Sequence, residues 1–123
     1  MKRGNHIGEF EELVLMAVAI LGDAAYGLGV RDFLIENTGR KSALGAIHAT
    51  LYRLQDKGLL DSHMEGSTNA RGGRRKRIFL VTGAGKQAVR GARETRERIW
   101  HLVPGGSMSG SAMSVSKMST SIA

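Results

Sequence analysis

From Glu9 the chain repeats its hydrophobic residues with a helical period: Phe10, Leu13, Val14, Ala17, Val18 and Leu21 form one stripe. Leu15, Met16, Ala19 and Ile20 make the remaining sides apolar as well. A helix greasy on nearly every side has to be covered on nearly every side. In a chain this small, a second subunit is the expected source of part of that cover. Glu9, Glu11 and Glu12 fall in the first turn, where carboxylates offset the positive end of the helix dipole. Gly22 and Asp23 stop the helix. The spacing of Tyr26, Val30, Phe33 and Leu34 then predicts a shorter helix from about Tyr26 to Asn37, closed by a turn over 37–41 in which Gly39 can take a positive φ.

The third predicted helix, SALGAIHATLYRLQDKG over 42–58 with Ser42 as its N-cap, has two unlike sides. Leu44, Ile47, Leu51 and Leu54 share one narrow arc and face a core. Opposite them lie Ser42, Gly45, Ala46, Ala49, Thr50 and Arg53, a face with little side chain on it, while His48 sits at the edge of the core arc. A packed helix would explain the small residues; so would a helix whose backbone must approach another surface closely. The second account gains from the preceding helix and short turn, which together with this one make a helix-turn-helix arrangement.

After Gly58 the period changes. Leu60–Glu65 reads as a strand and Arg77–Val81 as its partner, joined by GSTNARGGRRK over 66–76. Arg71, Arg74, Arg75, Lys76 and Arg77 crowd this hairpin tip with no acid among them. Such a run is either a solvated face or a site for phosphates, and its self-repulsion favours an anion. Thr82 can cap a last helix from about Gly83 to Val103, with Ala84, Ala88, Ala92, Ile99 and Leu102 on one side and Val89, Trp100 and Val103 beside them. Nothing within so small a domain is left to cover that side. The expected interface is therefore a homodimer, formed by Ala88, Ala92, Ile99, Trp100, Leu102 and Val103 against Phe10, Leu13 and Val14 of the other subunit. Residues 104–123 are mostly Gly, Ser, Met and Thr and are expected to be disordered, and 1–8 to be a mobile arm. The expected organisation is mainly α with a small β-hairpin: a winged helix-turn-helix over 9–82, followed by a dimerisation helix over 83–103.

The 123 residues allow one modest core, and the net charge of +7 calls for an anionic partner, nucleic acid first and a membrane surface second. There is no cysteine, so disulfides and thiolate metal sites are excluded. The longest apolar run, Leu13–Leu21, is far short of the roughly 20 residues that span a bilayer, and no signal sequence precedes it. A soluble cytoplasmic protein without membrane contact is expected. Catalysis has no support: Gly83-Ala-Gly-Lys86 lacks the earlier glycine and the following Ser or Thr of a phosphate loop, and only His63 and Glu65 among the histidines stand at a useful ligand interval. No catalytic residue, metal or cofactor is assigned. An RNA-binding or protein-docking winged helix is the alternative, although RNA binding favours exposed aromatics, of which this basic surface is expected to have almost none, and protein docking would not need so basic a wing.

The segments GEFEELVLMAVAILGDAAYG (8–27), SALGAIHATLYRLQDKGLL (42–60) and RGGRRKRIFLVTGAG (71–85) resemble the PadR family of transcriptional regulators, specifically a branch with a short C-terminal helix. The resemblance implies a homodimeric repressor of nearby genes, often relieved by a small molecule. It also implies that the helix at 42–57 enters the major groove of duplex DNA and the wing at 66–76 lies along the adjacent backbone. His48 stands where that family usually has tyrosine, Ile78 and Phe79 where it commonly has two aromatics, and Gly83 where it often has an acid. On the DNA reading, Arg53 grips a guanine or a phosphate, and the Ala and Thr methyls meet thymine. Two-fold symmetry then demands an inverted-repeat operator. Trp100 is either an interface anchor or part of an inter-subunit pocket for an inducer.

Overall fold

The computed structural model describes residues 6–66 and 75–106. Helix α1 (Glu9–Leu21) is followed by a 3-10 turn (Gly22–Ala24), α2 (Gly27–Thr38), α3 (Leu44–Asp56), strands β1 (Leu60–Glu65) and β2 (Lys76–Val81), and α4 (Gly83–Trp100). Two compact units result, one ending at Arg90 and the other beginning at Gly91, so the division falls inside α4 rather than before it. The reason is local. Gly85 and Ala88, in the first two turns of α4, are buried with the core of the first unit.

That core is built where the sequence periodicity put it. Val14, Leu15 and Val18 from α1, Val30 and Leu34 from α2, and Ile47, Leu51 and Leu54 from α3 are at most 2% exposed and join Leu59, Leu60 and Phe79 in one cluster. Helix α2 ends at Gly39, whose φ of 73° lets its N–H turn back to the Ile35 carbonyl at 2.9 Å. Helix α3 begins differently from expectation. Its N-cap is Ala43, without a side-chain bond, and Ser42 stays half-buried outside the helix.

The strands pair antiparallel from Leu60 opposite Val81 to Glu65 opposite Lys76. β2 is held on its far side too, where the Phe79 N–H donates to the Ala25 carbonyl at 2.9 Å. Thr82 caps α4 as the sequence suggested: its hydroxyl accepts the Gly85 N–H at 3.0 Å and donates to the Gly58 carbonyl at 2.8 Å. One side chain thereby ties the end of α3 to the start of α4. Gly85 is required there, because a Cβ on it would lie 2.2 Å from the Leu59 carbonyl oxygen.

At the N-terminus, residues 6–8 are docked rather than a free arm: Ile7 packs on the core and the His6 carbonyl accepts from Lys57 Nζ at 3.4 Å. Residues 1–5 lie outside the described residues. In the second unit α4 ends at Trp100, short of the expected Val103, and the chain turns so that Gly106 lies against the Trp100 indole. The expected disorder of the tail falls, from residue 107 on, outside the described residues. No helix among the described residues is long and apolar enough to cross a membrane.

Candidate nucleic-acid interface

The outward face of α3 is short in side chain. Gly45, Ala46, Ala49 and Arg53 are exposed, and nothing lies within 4 Å of where a Cβ on Gly45 would stand. Thr50 does not share that face. It is 3% exposed, and its hydroxyl donates back to the Ala46 carbonyl at 2.9 Å, which satisfies the polar group inside the fold. The expectation that its methyl reads thymine is corrected accordingly.

Arg53 lies on the flank nearer α1, and its guanidinium is already held. Nε donates to Glu11 Oε2 at 3.1 Å and Nη2 to Thr50 Oγ1 at 3.3 Å, while about half of the side chain remains exposed. Lys57, one turn further along, reaches the same carboxylate at 3.1 and 3.2 Å. Glu11 also accepts the Gly8 N–H at 3.0 Å. Burial alone would raise the Glu11 pKa, but the Gly8, Lys57 and Arg53 donors outweigh it and hold the carboxyl below its ordinary value. The sequence assigned Glu11 only to the helix dipole and left Lys57 unassigned.

The other flank is aromatic. His48 is exposed, yet its imidazole rests on the first turn of α2: a Cβ on Gly27 would come within 2.2 Å of His48 Nε2. Both readings of His48, packing and exposure to a ligand, therefore describe the same ring. Tyr52, which sequence reasoning did not single out, is 44% exposed and stands edge-on to Phe79 with ring centroids 5.8 Å apart and 6.5 Å from His48. Its position four residues after His48 was the available signal.

Of the wing cations, Arg71 and Arg74 lie outside the described residues. Arg75 and Lys76 are exposed, and Lys76 Nζ sits 4.3 Å from the Tyr26 ring centroid, a cation–π contact at the root of the hairpin. Arg77 is less available: it is half-buried and Nη1 donates to Ser62 Oγ at 2.9 Å. Glu65 stands opposite Lys76 in the ladder, so the base of the wing is not free of acid.

Two residues assigned to a dimer interface are internal. Val14 is fully buried and Ala88 is 6% exposed, both in the core of their own chain, because each points to the inner side of its helix. Phe10 and Leu13 are half-buried against that core, and Arg40 lies over the Phe10 ring at 5.2 Å. In the second unit Ile99, Trp100, Leu102 and Val103 are exposed, Ala92 is half-buried, and Ile99, Trp100 and Val103 line an open groove rimmed by Arg96 and Glu97. Among the described residues no group of three potential ligands could hold a metal ion.

No protein-family model matches the chain, and no curated protein does. Solved structures do. A PadR-like transcription factor from Bacteroides fragilis superimposes with a TM-score of 0.66 at 17% identity, covering 78% of this chain and 87% of its own. A PadR-like regulator from Bacillus cereus gives 0.62 at 17%, covering 78% and 88%. Bacillus subtilis PadR, in complex with operator DNA, gives 0.57 at 17%, covering 69% of this chain and 46% of its own. The chain therefore has the winged-helix fold of PadR-like regulators.

Proposed function

We propose that this protein is a sequence-specific DNA-binding transcriptional regulator, a cytoplasmic homodimer that represses by occupying an inverted-repeat operator. The observation that carries the proposal is the exposed face of α3, where Gly45, Ala46 and Ala49 keep the helix backbone accessible and Arg53 is exposed beside them, with Arg75 and Lys76 exposed at the base of the hairpin. A helix with so little side chain fits a groove, and the basic wing fits phosphates. The operator complex of Bacillus subtilis PadR supports the same use of the same fold. The apolar segment at and just beyond the end of α4, with Trp100 and Leu102 exposed, is the surface assigned to the partner subunit and to an inducer that relieves repression.

The test starts with selection from a random duplex library. The expected product is an inverted repeat with half-sites about 10 bp apart, bound by a dimer in sedimentation. Neutralising roughly 6 to 10 phosphates makes affinity fall about 10³ to 10⁵-fold between 50 and 200 mM salt. Replacing Arg75 and Lys76 together by alanine is expected to weaken binding to every duplex and to flatten that dependence, while the protein stays folded and loses only about 0.5–1 kcal/mol with the Lys76–Tyr26 contact. A monomer that enriches no duplex in dilute buffer refutes the function; an unchanged salt dependence in the double variant removes the wing from it.

A further inference from the structure

Resting on the DNA-binding reading of α3, we propose that Glu11 is a positioning residue for base recognition: from α1 it fixes the Arg53 guanidinium and leaves its outer edge free to read a base pair. Arginine has five N–H donors in a rigid planar fork. In this structure the Nε–H is spent on Glu11 and one Nη2–H on Thr50, at 3.1 and 3.3 Å. Those two contacts, one from α1 and one from the preceding turn of α3, set the plane of the guanidinium. Nη1 and the second Nη2–H have no partner among the described residues, and they are the pair that can meet guanine O6 and N7 end-on.

Glu11 is itself immobilised. Its carboxylate is only 12% exposed and binds the Gly8 N–H and Lys57 as well as Arg53, so neither oxygen can turn away without breaking bonds. One negative charge against two cations leaves the flank with a net positive charge. The carboxylate thus orients Arg53 without neutralising the surface that would face DNA. An unheld arginine would keep its charge but lose its direction, and would have to pay for ordering that long side chain on binding.

The two roles of a carboxylate near DNA have opposite signs. As a mere charge Glu11 repels the duplex, so Glu11→Gln should tighten binding to any sequence; as a positioner its loss should weaken binding only where Arg53 reads a base. The probes are the duplex selected by the wild-type protein and a scrambled duplex of equal length and composition. Failure of the wild type to select any duplex is seen before a variant is made and overturns the proposed function itself. With a selected duplex in hand, Glu11→Gln is expected to bind the scrambled duplex as tightly as wild type or more so, and the selected one about 10-fold more weakly. Arg53→Lys, which keeps the charge and loses the fork, is expected to lose the same preference, and Glu11→Gln added to it to lose no more. Glu11→Asp, which keeps the charge with a shorter reach, gives the same loss and decides the matter if Glu11→Gln does not fold. Equal tightening on both duplexes would make Glu11 a competitor for the cations. Equal weakening on both, or a loss that adds to that of Arg53→Lys, would make it a structural tie; each of these results overturns the inference.

Discussion

Gly45→Ala separates the two things a glycine on α3 can be doing. Gly45 is the second residue of the helix, its φ is not positive, and a Cβ there meets nothing within 4 Å. Alanine should therefore enter without a clash and recover helix propensity, worth about 0.5 to 1 kcal/mol at an exposed position. For a unit of this size that raises the melting temperature by about 2–6 °C. If α3 lies in a groove, the same methyl meets DNA where the face was flat. A surplus methyl in a packed contact costs about 1–3 kcal/mol, a loss of roughly 5- to 150-fold in affinity. The effects on the two states thus have opposite signs: a more stable protein that binds DNA less well. Circular-dichroism melts and fluorescence anisotropy with the selected duplex measure both on one sample. Ala49→Leu, one turn on and also exposed, should weaken binding more strongly. If both variants bind the selected duplex as tightly as wild type, the flat face is not where DNA lies.

Three further outcomes follow from the same contacts. Gly85→Ala, which drives a Cβ against the backbone oxygen of Leu59, should cost about 1–3 kcal/mol, whereas Gly91→Ala, with open space around it, should gain up to about 1; thermal melts of the pair check whether α4 is seated as described. Thr82→Ala removes the cap of α4 and its link to the Gly58 carbonyl, and should cost about 1–2 kcal/mol in denaturant titrations. Glu11 has a depressed pKa in the folded state, so its contribution is complete at neutral pH and is lost as pH falls through that folded value. The stability gap between wild type and Glu11→Gln should be widest near pH 7, narrow once pH drops below the ordinary glutamate pKa of about 4.3, and vanish as pH falls through the lower folded value; a gap that persists in strong acid contradicts the ion-pair account.

The elements were legible because each buries one stripe or one short run. α1 starts at Glu9 and β1 spans Leu60–Glu65 as the periodicity predicts, and the apolar arc of α3 is the arc that is buried. What local pattern could not supply was depth. Val14 and Leu13 are neighbours on one greasy helix, yet Val14 is fully buried and Leu13 half-buried, while Ile20 on the same helix is 65% exposed. Nothing in the sequence of α1 distinguishes a residue facing its own core from one facing outward when all are apolar. The interface assignment of Val14 failed there. Ala88 failed for a related reason, since the first turns of α4 are drawn into the core by the close approach of Gly85 to Leu59, a contact between segments that no periodicity encodes.

The candidate site divides along the same line. Gly45, Ala46 and Ala49 were legible as a flat face because the absence of side chain is written in the residue type itself. Thr50 was misassigned because threonine supplies its own acceptor, the carbonyl one turn back, and so can enter a core that would reject a carboxylate or an amine. Arg53 was visible as a residue but not as a geometry: its partner is 42 positions away, in the first turn of a helix whose acids already had a sufficient local explanation in the dipole. A charge with one adequate reason for its position hides a second. Reading a recognition surface from sequence therefore identifies which side chains are present on the helix more readily than which of them are held. Here, held and free describe two edges of the same guanidinium.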